Sequence, residues 1–134
     1  MEYFKSNLIT IEYDEDKKLA RTKWHGFANS EEYREILGIY LQLVREKDVV
    51  RWIGNNTDAK AIRPADQEWT AREWAPVFSR EGKVRKMAVV VAKDIFNKMA
   101  VENLVARSND VIKFVTHFFP DEQNAYEWVM SEEA

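Results

Sequence analysis

The sequence predicts an α/β fold: one mixed sheet of about six strands that opens on an antiparallel hairpin and continues as alternating helices and parallel strands, with about four helices. Three observations carry this. The first residues alternate apolar and polar around a charged turn, at the period of two that a half-buried strand requires. Downstream, apolar runs alternate with segments at helical spacing, which is the pattern of βα units. Between them lies KMAVVVA, residues 86–92, a continuous run rich in β-branched residues, the signature of a central parallel strand covered on both faces.

Each element has its own local reason. Ile9, Ile11 and Tyr13 alternate with Thr10 and Glu12, DEDKK supplies an exposed turn, and LARTKW resumes the alternation; a short strand near Tyr3 to Lys5 precedes this hairpin. Asn29 and Glu32 are spaced as a capping box, and Tyr33, Ile36, Leu37, Tyr40, Leu41 and Val44 follow as the stripe of a long helix. Ile39 and Leu43 widen that stripe to roughly 200°, more than core contact alone requires. VVRWIGN is a short strand, followed by the polar loop NNTDAKAIR and a second helix that opens on Pro64. Trp69 and Trp74 lie five residues apart, so an unbroken α-helix turns them about 140° from each other and keeps one from the core that the other enters. Pro76 predicts a kink or a new start near Arg72, with Gly82 ending the element. Asp94 is placed to cap a third helix with Phe96, Met99, Ala100 and Leu104 as its stripe; VIKFVTHFF is a strand; Asp121 caps a last helix that turns Ala125, Trp128 and Val129 inward.

Composition bounds what such a fold can do. A chain of 134 residues, 46% hydrophobic and 13% aromatic, has material for one core in a single domain, residues 1–134. Its 20 basic and 23 acidic residues are interspersed, which leaves no basic field for nucleic acid or an anionic membrane. Absence of cysteine excludes disulfides, thiolate metal sites and thiol nucleophiles. No secretory signal pattern and no bilayer-length apolar segment is present, so the cytoplasm is the expected compartment.

Chemistry-bearing residues are few. Asn55, Asn56, Thr57 and Asp58 follow a strand, and Asp94 follows the next one; in an open α/β sheet both places fall at the carboxyl edge, where ligands bind. The same residues are also good turn and cap formers, which needs no ligand at all. Trp69 and Trp74 are candidates to line an apolar groove or a contact surface. His25 and His117 stand far apart without metal-ligand spacing, so neither a metal nor a cofactor is expected. No nucleophile elbow, Walker loop or dinucleotide fingerprint occurs, and adjacent acidic pairs such as Glu31 and Glu32 do not face one another as an acid and base must.

WIGNNTDAKAIRPADQEW, MAVVVAKDIF and FFPDEQNAYEWV, together with the hairpin, resemble the SpoIIAA-like superfamily, which includes STAS domains, over nearly the whole chain. The ending, an aromatic strand end before a short helix with Ala125 and Trp128 inward, is similar to that of small bacterial STAS-like proteins. The resemblance implies a non-enzymatic module acting through protein contacts or through bound nucleotides or lipids, in a superfamily that also resembles CRAL-TRIO lipid-binding folds. Anti-sigma-factor antagonists carry a phosphorylated serine within D-S-[ST]-G; the matching region here reads NNTDAKAIRP, which lacks that pattern and leaves Thr57 as the only hydroxyl in place. The expectation is therefore a regulatory or interaction module working on a protein partner or on itself as a homodimer, seated on the wide stripe of the first helix and on one tryptophan of the second. The alternative is a carrier or sensor holding a small apolar or lipid-like ligand between helices and sheet.

Overall fold

The computed structural model describes residues 1–132. Strands β1 (Glu2–Lys5), β2 (Ile9–Asp14) and β3 (Leu19–Gly26) form an antiparallel meander, and β4 (Arg51–Ala59), β5 (Lys86–Val90) and β6 (Val115–Phe119) add to it in parallel. The spatial order is the sequence order, β1-β2-β3-β4-β5-β6. Three successive right-handed crossovers in one direction along a sheet put their helices on one face. Helix α1 (Ser30–Glu46), the run α2 (Pro64–Trp69) and α3 (Ala75–Glu81), and α4 (Ile95–Ser108) occupy that face, while α5 (Glu122–Met130) covers the other.

Two cores follow from the period-two alternation of the strands. Ile9, Ile11, Tyr13, Ala20 and Trp52 point to the first face and pack against Tyr33, Ile36, Leu37, Tyr40, Leu43 and Val44 of α1 and Phe78 of α3. Leu19, Ile53, Ala88 and Val90 point to the second face, where Ala125 and Val129 of α5 close over them. Expected caps are in place: Asn29 and Glu32 exchange the two bonds of a capping box, Asp94 accepts from the backbone N–H groups of Phe96 and Asn97, and Asp121 accepts from that of Asn124. Pro76 falls in the first turn of α3, where the helical chain runs on from Trp74 without a break and the missing N–H leaves a carbonyl of the preceding turn without a backbone donor, and α3 stops at Gly82.

Three expectations are corrected. The polar stretch Asn55–Asp58 is strand, not loop. Lys23 pairs with Asn55 but His25 pairs with Asp58, so β4 carries an extra residue against β3, a bulge at which Asn55 Oδ1 accepts from the Thr57 N–H at 3.0 Å and from its hydroxyl at 2.6 Å. A side chain thereby satisfies a donor that the ladder leaves free.

The second correction concerns the tryptophans. Residues Thr70–Trp74 form a π-helical turn between α2 and α3. Bonds from i to i+5 widen the turn, which brings residues five apart closer to one face than an unbroken α-helix does. Both Trp69 and Trp74 consequently pack against the first core, Trp69 edge-on to Tyr33 under the Arg34 guanidinium, Trp74 stacked on Phe78 with ring centroids 4.6 Å apart.

Third, α4 presents a different side to the sheet. Phe96 and Met99 are exposed, 69% and 60%, whereas Asn97, Ala100 and Ser108 are buried and Val101, Leu104 and Val105 look inward.

Candidate functional site

A cavity of about 190 Å³ lies between the first face of the sheet and the helices above it. Its floor is built from alternate residues of adjacent strands: Thr22 of β3, Gly54 and Asn56 of β4, Met87 and Val89 of β5 and Thr116 of β6. Gly54 is decisive for its depth. It stands beside Thr22 and Val89 in the ladder, and the missing side chain leaves open the space that any other residue there would enter.

One wall is aromatic and held stiffly. Trp24 Nε1 donates to the Tyr40 hydroxyl at 2.9 Å, Trp74 Nε1 donates to the Leu37 carbonyl at 2.8 Å, and Tyr40 packs on Trp52 with centroids 4.8 Å apart. The Thr70 hydroxyl donates to the Asp66 carbonyl at 2.6 Å, so Tyr33, 2.8 Å from Thr70 Oγ1, must donate its own proton there. Burial pushes the Tyr40 phenol up to about 12, opposed by its hydrogen bonds to Thr22 and Trp24, and burial likewise raises Tyr33. Both rings are neutral partners at physiological pH.

Beneath this wall is a residue the sequence reading did not single out. Asp66 is 1% exposed, accepts from the Ser30 hydroxyl at 2.9 Å and from Arg34 Nε at 3.1 Å, and ties the start of α1 to α2. Its only sequence signal is an acidic residue in the first turn after Pro64, which many surface helices share.

The opposite wall is α4, through Asn97, Val101, Leu104, Val105 and Ser108. Asn97 is 3% exposed and its amide donates to the Lys60 carbonyl at 2.8 Å; Gly26 and Lys60 are exposed members of the lining, so the cavity meets the surface at the carboxyl ends of β3 and β4. That edge is where ligands enter open α/β sheets. No His, Asp, Glu or Arg lines it, and Lys60 is its one charged residue.

The sequence-derived site residues are dispersed about this cavity. Asn56 and Trp74 line it. Asn55 points to the second face, where its amide donates to Glu122 at 3.2 Å. Thr57 is bound to Asn55, Asp58 is exposed on β4, Asp94 caps α4, and Trp69 packs beside Tyr33 outside the lining. His117 stacks on Trp128, centroids 4.4 Å apart, on the second face, and among the described residues no three His, Asp or Glu side chains gather as a metal would require. Among the described residues no helix is long and apolar enough to cross a membrane.

A six-stranded sheet in sequential order, antiparallel then parallel, with its last helix on the far face, gives this chain an α/β fold of the SpoIIAA-like kind. Among solved structures the chain is similar to an uncharacterised protein of the DUF3478 family with a SpoIIAA-like fold from Shewanella loihica PV-4. The two share 18% identity and a TM-score of 0.55, over 94% of this chain and 98% of that one. At that identity the likeness is one of fold. No family model and no curated protein matches the sequence.

Proposed function

We propose that this chain is a non-catalytic module that takes a small apolar molecule into the space between its sheet and its first-face helices. The observation that carries the reading is the cavity itself. Protein interiors are packed as densely as organic crystals, and a void of about 190 Å³ forfeits contact energy on every side chain around it. An engineered apolar cavity of about 150 Å³ takes up benzene. Here the void lies at the carboxyl edge of the parallel strands, under an aromatic wall whose polar atoms are already hydrogen-bonded within the protein. The lining holds no carboxylate and no histidine, the groups most often used as general acid and base, and its tyrosines Tyr33 and Tyr40 are hydrogen-bonded and neutral. Native mass spectrometry of gently purified protein, set against the same sample denatured, tests this: the expected result is a bound mass that disappears on denaturation, and a bare chain that also takes up no small aromatic probe speaks against it.

A second reading, contact with a protein partner or a second copy, draws on a different observation. Ile95, Phe96 and Met99 of α4 are 60% or more exposed. The stripe of α1 and the two tryptophans, by contrast, are spent on the core. A contact surface is therefore better sought on α4 than on α1. Light scattering of the full chain and of a Phe96→Ser/Met99→Ser variant tests it; a monomer at micromolar concentration for both removes the homodimer.

A further inference from the structure

Building on the ligand reading above, we infer that the molecule held in the cavity is uncharged and presents a hydrogen-bond acceptor, a carbonyl oxygen on an otherwise apolar body, to the hydroxyl of Thr22 in the gap beside Gly54. Thr22 and Gly54 are partners in the β3–β4 ladder and lie together on the cavity floor. A Cβ built on Gly54 stands 3.5 Å from Thr22 Oγ1, with nothing nearer beyond its own chain neighbours, so this oxygen looks onto the space the glycine leaves open. It is not closed off: among the described residues Asn97 Oδ1 alone is a sealed side-chain atom without a partner.

Proton counting fixes what that hydroxyl needs. Trp24 Nε1 can only donate, and it donates to the Tyr40 oxygen at 2.9 Å. Tyr40 and Thr22 are hydrogen-bonded neighbours, and two hydroxyls share at most one such bond, so one of their two protons is left over. A phenol is the stronger donor and an aliphatic hydroxyl the better acceptor; Tyr40 therefore gives its proton to Thr22 Oγ1, and the spare proton is that of Thr22. No carbonyl of the sheet takes it, because Thr22 pairs with Ile11 on one side and Gly54 on the other, and carbonyls in both ladders lie along the sheet rather than toward a side chain standing on its face. A buried donor without a partner is costly, whereas a spare lone pair is borne more easily. What the cavity lacks is an acceptor.

The surroundings exclude charge. A carboxylate over Gly54 has one neutral donor and no cation beside it, since Lys60 stands at the mouth beyond the end of β4, and an ammonium finds no carboxylate in the lining. Met87 and Val89 flank the gap and ask for an apolar body. About 190 Å³ is below the range of drug-sized pockets and suits one ring with a few further atoms.

The test uses the full-length chain and probes of matched size: acetophenone, which carries a carbonyl; α-methylstyrene, the same shape with a methylene in place of the oxygen; and benzoate, which carries a charge. Titration calorimetry gives each affinity for the native chain, for Thr22→Val and for Tyr40→Phe. The expected result is that the affinity ratio of acetophenone to α-methylstyrene falls about tenfold in Thr22→Val, the size of effect one buried hydrogen bond produces. Should Thr22→Val not fold, the carbonyl stretch of isotope-labelled acetophenone on the native chain decides, since a hydrogen bond moves it below its frequency in an alkane. An equal ratio in the native and Thr22→Val chains, or an unmoved stretch, overturns the acceptor assignment and leaves the cavity reading in place. A ratio that falls in Tyr40→Phe and holds in Thr22→Val overturns Thr22 as the donor in favour of Tyr40. Tightest binding by benzoate overturns the uncharged guest, with Lys60 as the head-group contact. Binding of none of the three overturns the cavity reading itself.

Discussion

Replacing Gly54 by alanine should make the protein more stable and its binding weaker, two effects of opposite sign from one methyl group. A Cβ built on Gly54 meets Thr22 Oγ1 at 3.5 Å and the Ala88 carbonyl at 4.0 Å, ordinary contact distances, and the backbone there is regular strand. Nothing has to move to admit it. Burial of one methyl stabilises by about 0.8 kcal/mol, and loss of glycine's freedom in the unfolded chain adds about 0.4–1 kcal/mol. A gain of about 1–2 kcal/mol raises the melting temperature of a chain this size by about 5 °C. Gly54→Val extends two further methyls over the floor and reduces the space left for a ligand. Thermal unfolding and calorimetric titration with 4-fluorotoluene on the native, alanine and valine chains read both effects, with affinity falling stepwise as side-chain volume rises. Destabilisation by Gly54→Ala would show that the space is already filled, and stabilisation with unchanged affinity would show that ligands bind elsewhere.

Other outcomes follow from single contacts. Asp66→Asn removes the charge from the buried group that holds Ser30 and Arg34, and should cost about 2 kcal/mol in urea unfolding; a loss below about 0.5 kcal/mol would deny it a role in fixing α2. Alkaline pH should destabilise the fold through Tyr40. Below about pH 10 the phenol keeps its proton in both states; above that the unfolded chain releases it while the folded chain holds it until about 12, so stability falls by about 1.4 kcal/mol per pH unit in this window. Tyr33 and Tyr3 are raised too and add to the same fall, so Tyr40→Phe should remove Tyr40's share of the slope in urea midpoints taken from pH 9 to 12, and an unchanged slope would contradict the assignment. Phe96→Ser/Met99→Ser should leave stability within about 0.5 kcal/mol, since both side chains are exposed; a larger loss would mean that α4 packs differently in solution.

What could be read from the sequence was whatever short-range chemistry decides. Asn29 with Glu32, Asp94 and Asp121 cap helices because the groups they satisfy lie within three residues, and KMAVV becomes a central strand because β-branched residues covered on both faces have few other homes. Misreadings arose where a distant partner overrode local preference. Asn55–Asp58 is turn-prone chemistry held in a strand by β3, with the bulge absorbing the conflict. Phe96 and Met99 have core spacing, yet Asn97 faces inward because the Lys60 carbonyl is there to receive its amide. The π-turn depends on how Thr70, Trp74 and Phe78 settle against α1, which no helical period announces. As for the site, Asn56 and Trp74 were visible as candidates, whereas the cavity was not: it is defined by volume that no residue fills, and Gly54 and Thr22 acquire meaning only once the strands and helices are in place.

The central claim, that the helix–sheet space accepts a small apolar guest, is tested most directly by a crystal structure under xenon pressure, because xenon enters dry apolar cavities in proportion to the room they offer. The account predicts a xenon peak over Gly54, between Trp74 and Leu104. Absence of that peak, with side chains of α4 closed onto the sheet, would contradict it.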